Sequence, residues 1–213
     1  SGNLGLDSSG QSNTFTVAGS LKQALDTPSN IYCTLNRLST DSGVTLSNGN
    51  TESDYDGTVG NAKGTLGFSS GKWYWEVKIA TASSNYPMLG IGSLDEAQMQ
   101  KTTGGSYPGG FTNSYGTYGN GNVYANGSNT GSQSFTYATN DIIGIAVDLD
   151  SGTKTIKWFK NGTQIASSNI TTVAPFTSMD YNGGESAVNV QYNFGNGYFG
   201  TTAVSSAGTN ASN

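Results

Sequence analysis

The sequence predicts an all-β protein, a single sandwich of two antiparallel sheets with little or no helix. Three observations predict it. Glycine, serine, threonine and asparagine make up half of the 213 residues, and these residues are weak helix formers. Several segments alternate apolar and polar residues with a period of two, which is typical of half-buried strands. Gly-rich turns separate those segments at intervals of about ten residues, as in sandwiches and barrels.

Composition and charge exclude several functions. The net charge is −5 and no Lys/Arg cluster is present, so the electrostatic footprint of a nucleic-acid-binding protein is missing. No stretch approaches the roughly 18 apolar residues of a membrane span. The chain has no histidine and one cysteine, Cys33, which excludes Ser-His-Asp catalysis, histidine zinc sites and an internal disulfide. We therefore expect no cofactor, no metal, no nucleic acid and no membrane insertion.

The chain divides into three parts by composition. Residues 1–30 are polar and rich in Gly and Ser, and we expect an N-terminal arm or lead-in strand. The chain starts Ser-Gly-Asn, without Met or an apolar leader, so we expect a piece of a longer polypeptide or a processed product. Residues 31–200 are predicted to form the sandwich. Residues 201–213 are mostly small and polar, and we expect a flexible tail.

The first half of the sandwich domain contains short strands and one long one. Apolar residues cluster at 31–35, 44–46 and 64–68, and Asn48-Gly49 is a strong hairpin signal. The segment 72–79 alternates strictly and predicts the clearest strand. Its large apolar residues share one face: Trp73, Trp75, Val77 and Ile79. We expect this face to lie in the core, and we expect Trp158 to lie there too.

The second half follows the same pattern. A strand at 88–91 leads into a long loop at 93–112, in which 95–101 is the one predicted helical turn. A hairpin is predicted for 115–118 and 122–125, before a polar loop at 126–134. Asn161-Gly162 is another hairpin signal. The remaining predicted strands are 141–149, 155–160, 163–166 and 188–194.

Six segments, taken in order, resemble the SPRY domain over roughly residues 58–200. They are Gly71-Lys72-Trp73-Tyr74-Trp75-Glu76-Val77, Leu89-Gly90-Ile91-Gly92, Tyr115-Gly116-Thr117-Tyr118-Gly119, 141–150, Lys157-Trp158-Phe159-Lys160-Asn161-Gly162 and Asn193-Phe194-Gly195. The resemblance implies a concanavalin-like jelly roll of two antiparallel sheets, used as a binding module rather than as an enzyme. It also implies that partners dock on loops at one edge of the sandwich.

A shorter resemblance involves the segment before these motifs. Residues 25–30 and 32–36 are similar to the lead-in of SPRY-containing proteins of tailed bacteriophages. This resemblance implies a virion protein, located on the virion or outside the cell, such as a tail fibre, a tail-associated protein or a capsid-surface protein. A homo-oligomer is then expected through the parent fibre.

The loops that correspond by position to the docking edge share one composition. They lie around 82–87, 93–112, 120–134 and 178–186, and they are rich in Tyr, Asn, Ser and Gly. Antibody paratopes use the same residues, and a tyrosine ring with neighbouring amides also suits a sugar. The predicted ligand-binding residues are Tyr86, Tyr107, Tyr124, Asn126, Asp180, Tyr181 and Asn182. Alternatively, Gly, Asn and Ser only form turns here.

Other candidate sites have simpler structural explanations. A glycan hydrolase needs two carboxylates about 5–10 Å apart, but Glu76 lies in mid-strand, where a lysine on the next strand is its ordinary partner. The segment 148–152 is similar to the start of a calcium loop but lacks the later glutamate, so it predicts a hairpin turn. Cys33 is predicted to be a buried small apolar residue. We predict no catalytic residue and no metal site.

Three functions remain open from the sequence. The first is non-enzymatic recognition of a host-surface glycan or protein by a phage virion. The second is a structural, assembly or decoration module that contacts other virion proteins, which an apolar surface patch would favour. The third is a glycan hydrolase, which would need two carboxyl groups in one cleft.

Overall fold

The computed structural model describes residues 5–7, 9–18, 31–83, 85–94, 106–172, 174–185 and 188–204. The chain forms two compact units, 1–31 and 32–213. In the smaller unit, the Asp7 carboxylate accepts hydrogen bonds from the backbone N–H groups of Ser9 and Asn13, at 2.7 and 2.8 Å. The predicted helical turn at 95–101, the lead-in at 25–30 and the chain beyond 204 lie outside the described residues.

The described part of the larger unit consists of strands and one short 3-10 turn, Arg37–Ser39. The strands are β1 (Val44–Ser47), β2 (Glu52–Tyr55), β3 (Val59–Lys63), β4 (Lys72–Thr81), β5 (Met88–Ser93), β6 (Ser114–Thr117), β7 (Asn122–Ala125), β8 (Ser128–Ser132), β9 (Ile142–Asp148), β10 (Thr155–Lys160), β11 (Thr163–Asn169), β12 (Phe176–Gly183), β13 (Val188–Asn193), β14 (Tyr198–Phe199) and β15 (Thr202–Ala203). Within the described residues, no helix is long and apolar enough to span a bilayer.

These strands form two large antiparallel sheets and a small one. The first sheet has the order β1-β2-β13-β4-β9-β10-β11, and the second sheet has the order β3-β12-β5-β6-β7-β8. The strands β14 and β15 pair with each other. Because β12 and β13 insert between earlier strands, residues late in the chain lie inside both large sheets. The predicted all-β sandwich is confirmed.

The core lies between the two large sheets and is made by the alternating apolar residues of their strands. In the first sheet, β4 and β9 place Val77 opposite Ile143 and Trp75 opposite Ile145, and all four side chains are buried. Trp158 of β10 connects the sheets, because its indole N–H donates to the carbonyl of Leu89 in β5 at 3.1 Å.

Asn-Gly pairs lie in three hairpin turns. They are Asn48-Gly49 between β1 and β2, Asn126-Gly127 between β7 and β8, and Asn161-Gly162 between β10 and β11, and every residue of these pairs has a positive φ. That conformation suits Asn and Gly and matches the twist of paired strands. The first and third turns confirm predicted hairpins. The second corrects the polar loop predicted at 126–134, where β8 forms.

Several predictions about the core edge are wrong. Trp73 is 43% exposed, because it lies among the first three residues of β4, which are all exposed. It stacks on Phe68 with the ring centroids 5.2 Å apart. Cys33 is only partly buried. The predicted strands at 31–35 and 64–68 are reduced to isolated bridges, Leu35 with Gly64 and Phe68 with Phe176.

The strand β12 is the largest difference from the prediction, which placed a loop at 178–186. Seven of its eight residues are buried, because neighbouring strands flank it and both faces of the sheet are covered there. A strand buried on both faces loses the alternating pattern. In β12 the pattern is further hidden by Asp180 and Asn182 at buried positions.

Candidate functional site

Five tyrosine rings pack together on the second sheet. We call Tyr86, Tyr107, Tyr118, Tyr124 and Tyr181 the tyrosine cluster. Six pairs of these rings have centroids 5.1–6.1 Å apart. Tyr107 and Tyr118 are central, because each of these rings contacts three others of the cluster. Ring pairs at these separations and tilts attract each other, and this attraction adds to the stabilisation that comes from burying their apolar area.

The strand register brings these rings together from distant parts of the sequence. Tyr181 of β12 pairs with Met88 of β5, and Tyr86 precedes that strand by two residues. Tyr118 follows β6 directly, and Tyr124 of β7 pairs with Gly116 of β6. The cluster therefore lies on the outer face of the second sheet, near the end where β12 finishes and β5 begins.

The segment 106–111 lies across this outer face and carries Tyr107 into the cluster. A Cβ atom on Gly116 would lie 2.3 Å from the carbonyl oxygen of Pro108, so the segment approaches the sheet where no side chain intervenes. Phe111 is buried beside Gly92 and Met179. The Asn61 side-chain amide donates to the Ser106 carbonyl at 3.5 Å. These contacts fix the position of the Tyr107 ring.

The cluster is half-buried. Tyr181 is buried, while the other four side chains are partly accessible. Burial raises the pKa of Tyr107 and of Tyr118, and it raises the pKa of Tyr181 to about 12. The neighbouring tyrosines raise all three further, so these hydroxyls stay protonated and can donate hydrogen bonds. At the rim, the Asn120 amide donates to the Asn85 side-chain oxygen at 3.2 Å.

Asp180 points the other way, into the core between the sheets. Its carboxylate accepts hydrogen bonds from the Ser53 hydroxyl at 2.6 Å and from the Ala62 backbone N–H at 3.2 Å. Burial raises the pKa of Asp180 to about 6. Tyr55 and Tyr192 lie beside it, and burial followed by the Asp180 charge raises the pKa of both hydroxyls. Asp180 therefore lies in the core, and its side chain is not part of the accessible surface of the tyrosine cluster.

The two predicted asparagines make local hydrogen bonds. The Asn126 side chain accepts from the Asn113 N–H at 2.9 Å and donates to the Tyr115 hydroxyl at 3.2 Å. Asn182 is buried, and its side chain closes a turn by donating to the Glu185 carbonyl at 2.6 Å. Of the seven predicted binding residues, the structure thus brings Tyr86, Tyr107, Tyr124 and Tyr181 together. Their role in binding a ligand stays a prediction.

Tyr118 is the cluster member that sequence reasoning missed. It directly precedes the Gly119-Asn120-Gly121 turn, so it has the same mixture of Tyr, Asn and Gly that singled out the other four. The compositional signal is therefore present, although the sequence predicts only a hairpin here and a segment that resembles the SPRY domain.

The other candidate residues have structural partners. The Glu76 carboxylate accepts a hydrogen bond from the Tyr74 hydroxyl at 2.9 Å. The cross-strand neighbours of Glu76 are Gly144 and Asn193, not the predicted lysine. Asp148 accepts from the backbone N–H groups of Asp150 and Ser151 and pairs with Lys72 at 3.0 Å. These hydrogen bonds lower the pKa of Asp148. The segment 148–152 is the turn between β9 and β10, as predicted.

A second group of ionisable residues lies next to β3. Lys63 is buried, and its amino group donates to the Ser39 carbonyl at 3.3 Å. Burial lowers the pKa of Lys63 to about 8, against the opposing effect of Asp41 and Asp180. The Asp41 carboxylate accepts from the Asn61 N–H at 2.8 Å, and burial raises its pKa. These contacts fasten the segment before β1 to β3.

Comparison with known proteins identifies the class to which this fold belongs. The model of the SPRY domain family matches residues 72–191. The chain therefore belongs to the SPRY domain family. SPRY domains are generally non-enzymatic modules for protein–protein interaction. A comparison with curated protein sequences found no match.

Solved SPRY structures share the fold at low sequence identity. The SPRY domain of human HERC1 has a TM-score of 0.60 at 15% identity, with 81% of this chain and 99% of that chain covered. The TRIM65 PSpry domain gives 0.60 at 15% identity over 76% and 92% of the two chains. A human SPRY domain gives 0.56 at 15% identity over 72% and 96%.

Proposed function

We propose that this SPRY domain is a non-enzymatic recognition module of a bacteriophage virion, in a tail fibre, tail-associated protein or capsid-surface protein. It binds a host-surface molecule, a glycan or a protein, through the tyrosine cluster. One observation carries the proposal. Four parts of the chain, namely the segment before β5, segment 106–111, the β6–β7 hairpin and β12, bring five tyrosines to one place on the outer face of the second sheet, and four of these rings remain partly accessible.

The chemistry of the cluster suits recognition. Tyrosine offers a large rigid ring and a polar tip, and it loses little side-chain entropy on binding. Tyrosine is also enriched among the residues that dominate binding energy at interfaces. The rings pack on one another and on segment 106–111, so they are held in place before a ligand arrives. Preorganisation of this kind lowers the entropic cost of binding.

The virion setting rests on the sequence. The similarity of residues 25–30 and 32–36 to the lead-in of SPRY-containing proteins of tailed bacteriophages supports it. The location on the virion or outside the cell is part of the same proposal.

A second candidate function is supported by a separate surface. Leu66, Trp73 and Leu94 are each about 40% exposed. Leu66 and Leu94 lie towards the opposite end of the second sheet, where Phe68 bridges to Phe176 and Leu94 follows β5. Trp73, near the start of β4 in the first sheet, stacks on Phe68. An exposed apolar surface favours contact with another protein. This surface would serve the structural alternative, in which the domain contacts other virion proteins.

The proposal is tested by cell binding. The biotinylated domain is tetramerised on fluorescent streptavidin, because multivalency amplifies weak binding, and is added to a panel of bacterial cells. A Tyr107→Ala, Tyr124→Ala variant removes two partly accessible rings of the cluster. A Tyr198→Ala variant is the matched control, because Tyr198 is an exposed tyrosine on β14, outside both large sheets.

Binding by the wild type and by Tyr198→Ala, with loss in the double variant, supports the proposal. Equal binding by all three proteins would show that the cluster is not the recognition surface. If no cell type is bound, and the domain instead retains other virion proteins in a pull-down that Trp73→Ala abolishes, the assembly function replaces the recognition function.

A further inference from the structure

We infer that the ligand of the tyrosine cluster is a neutral glycan, a saccharide without carboxylate, sulfate or phosphate groups. This inference rests on the proposed function and adds the class of the ligand. It follows from three features of the described residues: where the cations lie, what groups the cluster offers, and how the rings are arranged.

The accessible lysines of the described chain lie on or directly beside strands of the first sheet. Four lysines lie on strands of the first sheet: Lys72, Lys78, Lys157 and Lys160. Two of them form ion pairs there, Lys72 with Asp148 at 3.0 Å and Lys160 with Asp141 at 2.8 Å. On the second sheet, Lys63 lies beside Asp41, but it is buried and its amino group donates to the Ser39 carbonyl. Lys154 directly precedes β10, and the Arg37 guanidinium donates to the Val44 carbonyl of β1. An anionic ligand at the cluster would lose water without gaining a cationic partner among the described residues, which is costly.

The causes of the pKa shifts of the tyrosine hydroxyls agree with this placement of the cations. The pKa of Tyr181 is raised by burial, by Tyr86 and Tyr107, and by the carboxylate of Asp41. Burial and other tyrosines raise the pKa of Tyr107 and Tyr118. No Lys or Arg of the described chain is among these causes. A carboxylate near the margin repels an acidic sugar but accepts hydrogen bonds from the hydroxyls of a neutral one.

The groups that the cluster presents match a saccharide. A neutral pyranose has a face of C–H groups and a rim of hydroxyls that both donate and accept hydrogen bonds. The tyrosine rings offer apolar faces, and their protonated hydroxyls donate and accept. The side chains of Asn85 and Asn120, joined at 3.2 Å at the rim, add amide groups of both kinds.

The tilt of the rings favours a saccharide over a flat aromatic ligand. Tyr107 and Tyr124 meet at 85°, and the other pairs are tilted by 52–58°. Rings tilted in this way present several faces at angles to one another rather than one flat surface, so they fit the angular surface of linked sugar rings. About one residue in four of an average soluble protein is charged, and the tyrosine cluster contains no cation to pair with an acidic residue of a protein partner.

The test is a microarray that displays neutral bacterial polysaccharides, neutral defined oligosaccharides, acidic polysaccharides and random peptides. The tetramerised domain is applied as wild type, Tyr107→Ala, Tyr107→Phe and Tyr198→Ala. Each variant is first shown by thermal unfolding to be folded. We expect retention on neutral glycans alone, a loss of at least about tenfold in affinity for Tyr107→Ala, and no change for Tyr198→Ala. Tyr107→Phe keeps the ring and loses one hydrogen bond, so we expect about a twofold to tenfold loss.

Retention of the domain on acidic glycans or on peptides, with no retention on neutral glycans, would overturn the inference. Failure of the domain to bind any glycan would also overturn it. The cell assay separates this failure from failure of the proposed function. Cluster-dependent cell binding that protease abolishes and periodate leaves intact would keep the recognition function and exclude the glycan. Cluster-dependent cell binding that periodate abolishes supports both.

Discussion

Asp180 and Tyr181 are consecutive residues of β12 whose side chains lie on opposite faces of the second sheet. Asp180 pairs across the sheet with Ala62 and Leu89, which belong to the core, and Tyr181 pairs with Asn61 and Met88. One strand thus carries a buried acid into the sandwich and a ring into the tyrosine cluster. Changes at Asp180 report on the stability of the core, and changes at the rings report on the surface.

The first prediction concerns the pH dependence of stability. The pKa of Asp180 is raised to about 6 in the folded state, against about 3.9 in an unfolded chain. The folded state therefore binds this proton more tightly, so the stability contributed by protonated Asp180 is present below about pH 4 and is lost as the pH rises towards about 6. The loss is of the order of 3 kcal/mol at most. Asp180→Asn removes this dependence.

The measurement is the free energy of unfolding in urea for wild type and Asp180→Asn from about pH 4 to about pH 7. We expect the variant to gain stability relative to wild type as the pH rises. The comparison cancels the surface carboxylates, such as Asp148, whose lowered pKa acts in the opposite direction. A difference that is constant with pH would show that Asp180 does not titrate in this range.

The second prediction concerns the contact between segment 106–111 and the outer face of the second sheet. Gly116→Ala places a methyl group 2.3 Å from the Pro108 carbonyl oxygen, so the segment must move. We expect a loss of about 1–3 kcal/mol in the free energy of unfolding and weaker ligand binding, because Tyr107 moves with the segment. Gly152→Ala is the control, since its new Cβ has no atom within 4 Å. Equal stability of the two variants would contradict the described contact.

The third prediction contrasts two tryptophans. Trp158 is fully buried and donates to the Leu89 carbonyl, whereas Trp73 is 43% exposed. Trp158→Phe leaves a cavity and removes the buried hydrogen bond from the indole N–H, so we expect a loss of about 2–4 kcal/mol. Trp73→Phe should cost less than about 1 kcal/mol. Thermal unfolding of both variants measures the difference, and a larger effect at Trp73 would contradict the packing described here.

Much of the fold is predictable from local pattern, and the remainder depends on contacts that no local pattern contains. The strands β4, β9, β10 and β13 alternate between core and solvent, so periodicity predicts them. β12 is covered on both faces and holds a buried acid, so its sequence reads as a loop. Trp73 follows the alternation of β4 but lies at the exposed end of the strand, a fact that depends on where the facing sheet stops.

The candidate site shows the same division. Composition singled out four of the five clustered tyrosines, because each is flanked by residues typical of loops. It also selected Asp180 and Asn182, which share a segment with Tyr181 but face the core or close a turn. The direction of each side chain depends on strand register, which is set by pairing between β12, β3 and β5. Tyr118 joins the cluster for the same non-local reason.

Hydroxyl-radical footprinting of the domain bound to bacterial cells tests the central claim most directly. Mass spectrometry measures the oxidation of each tyrosine in the free and the bound domain. We expect bound ligand to protect Tyr107 and Tyr124, while Tyr74 and Tyr198, which are 58% and 43% exposed on other surfaces, remain reactive. Protection of Tyr74 or Tyr198 with unchanged oxidation of Tyr107 and Tyr124 would contradict the assignment of the tyrosine cluster as the recognition surface.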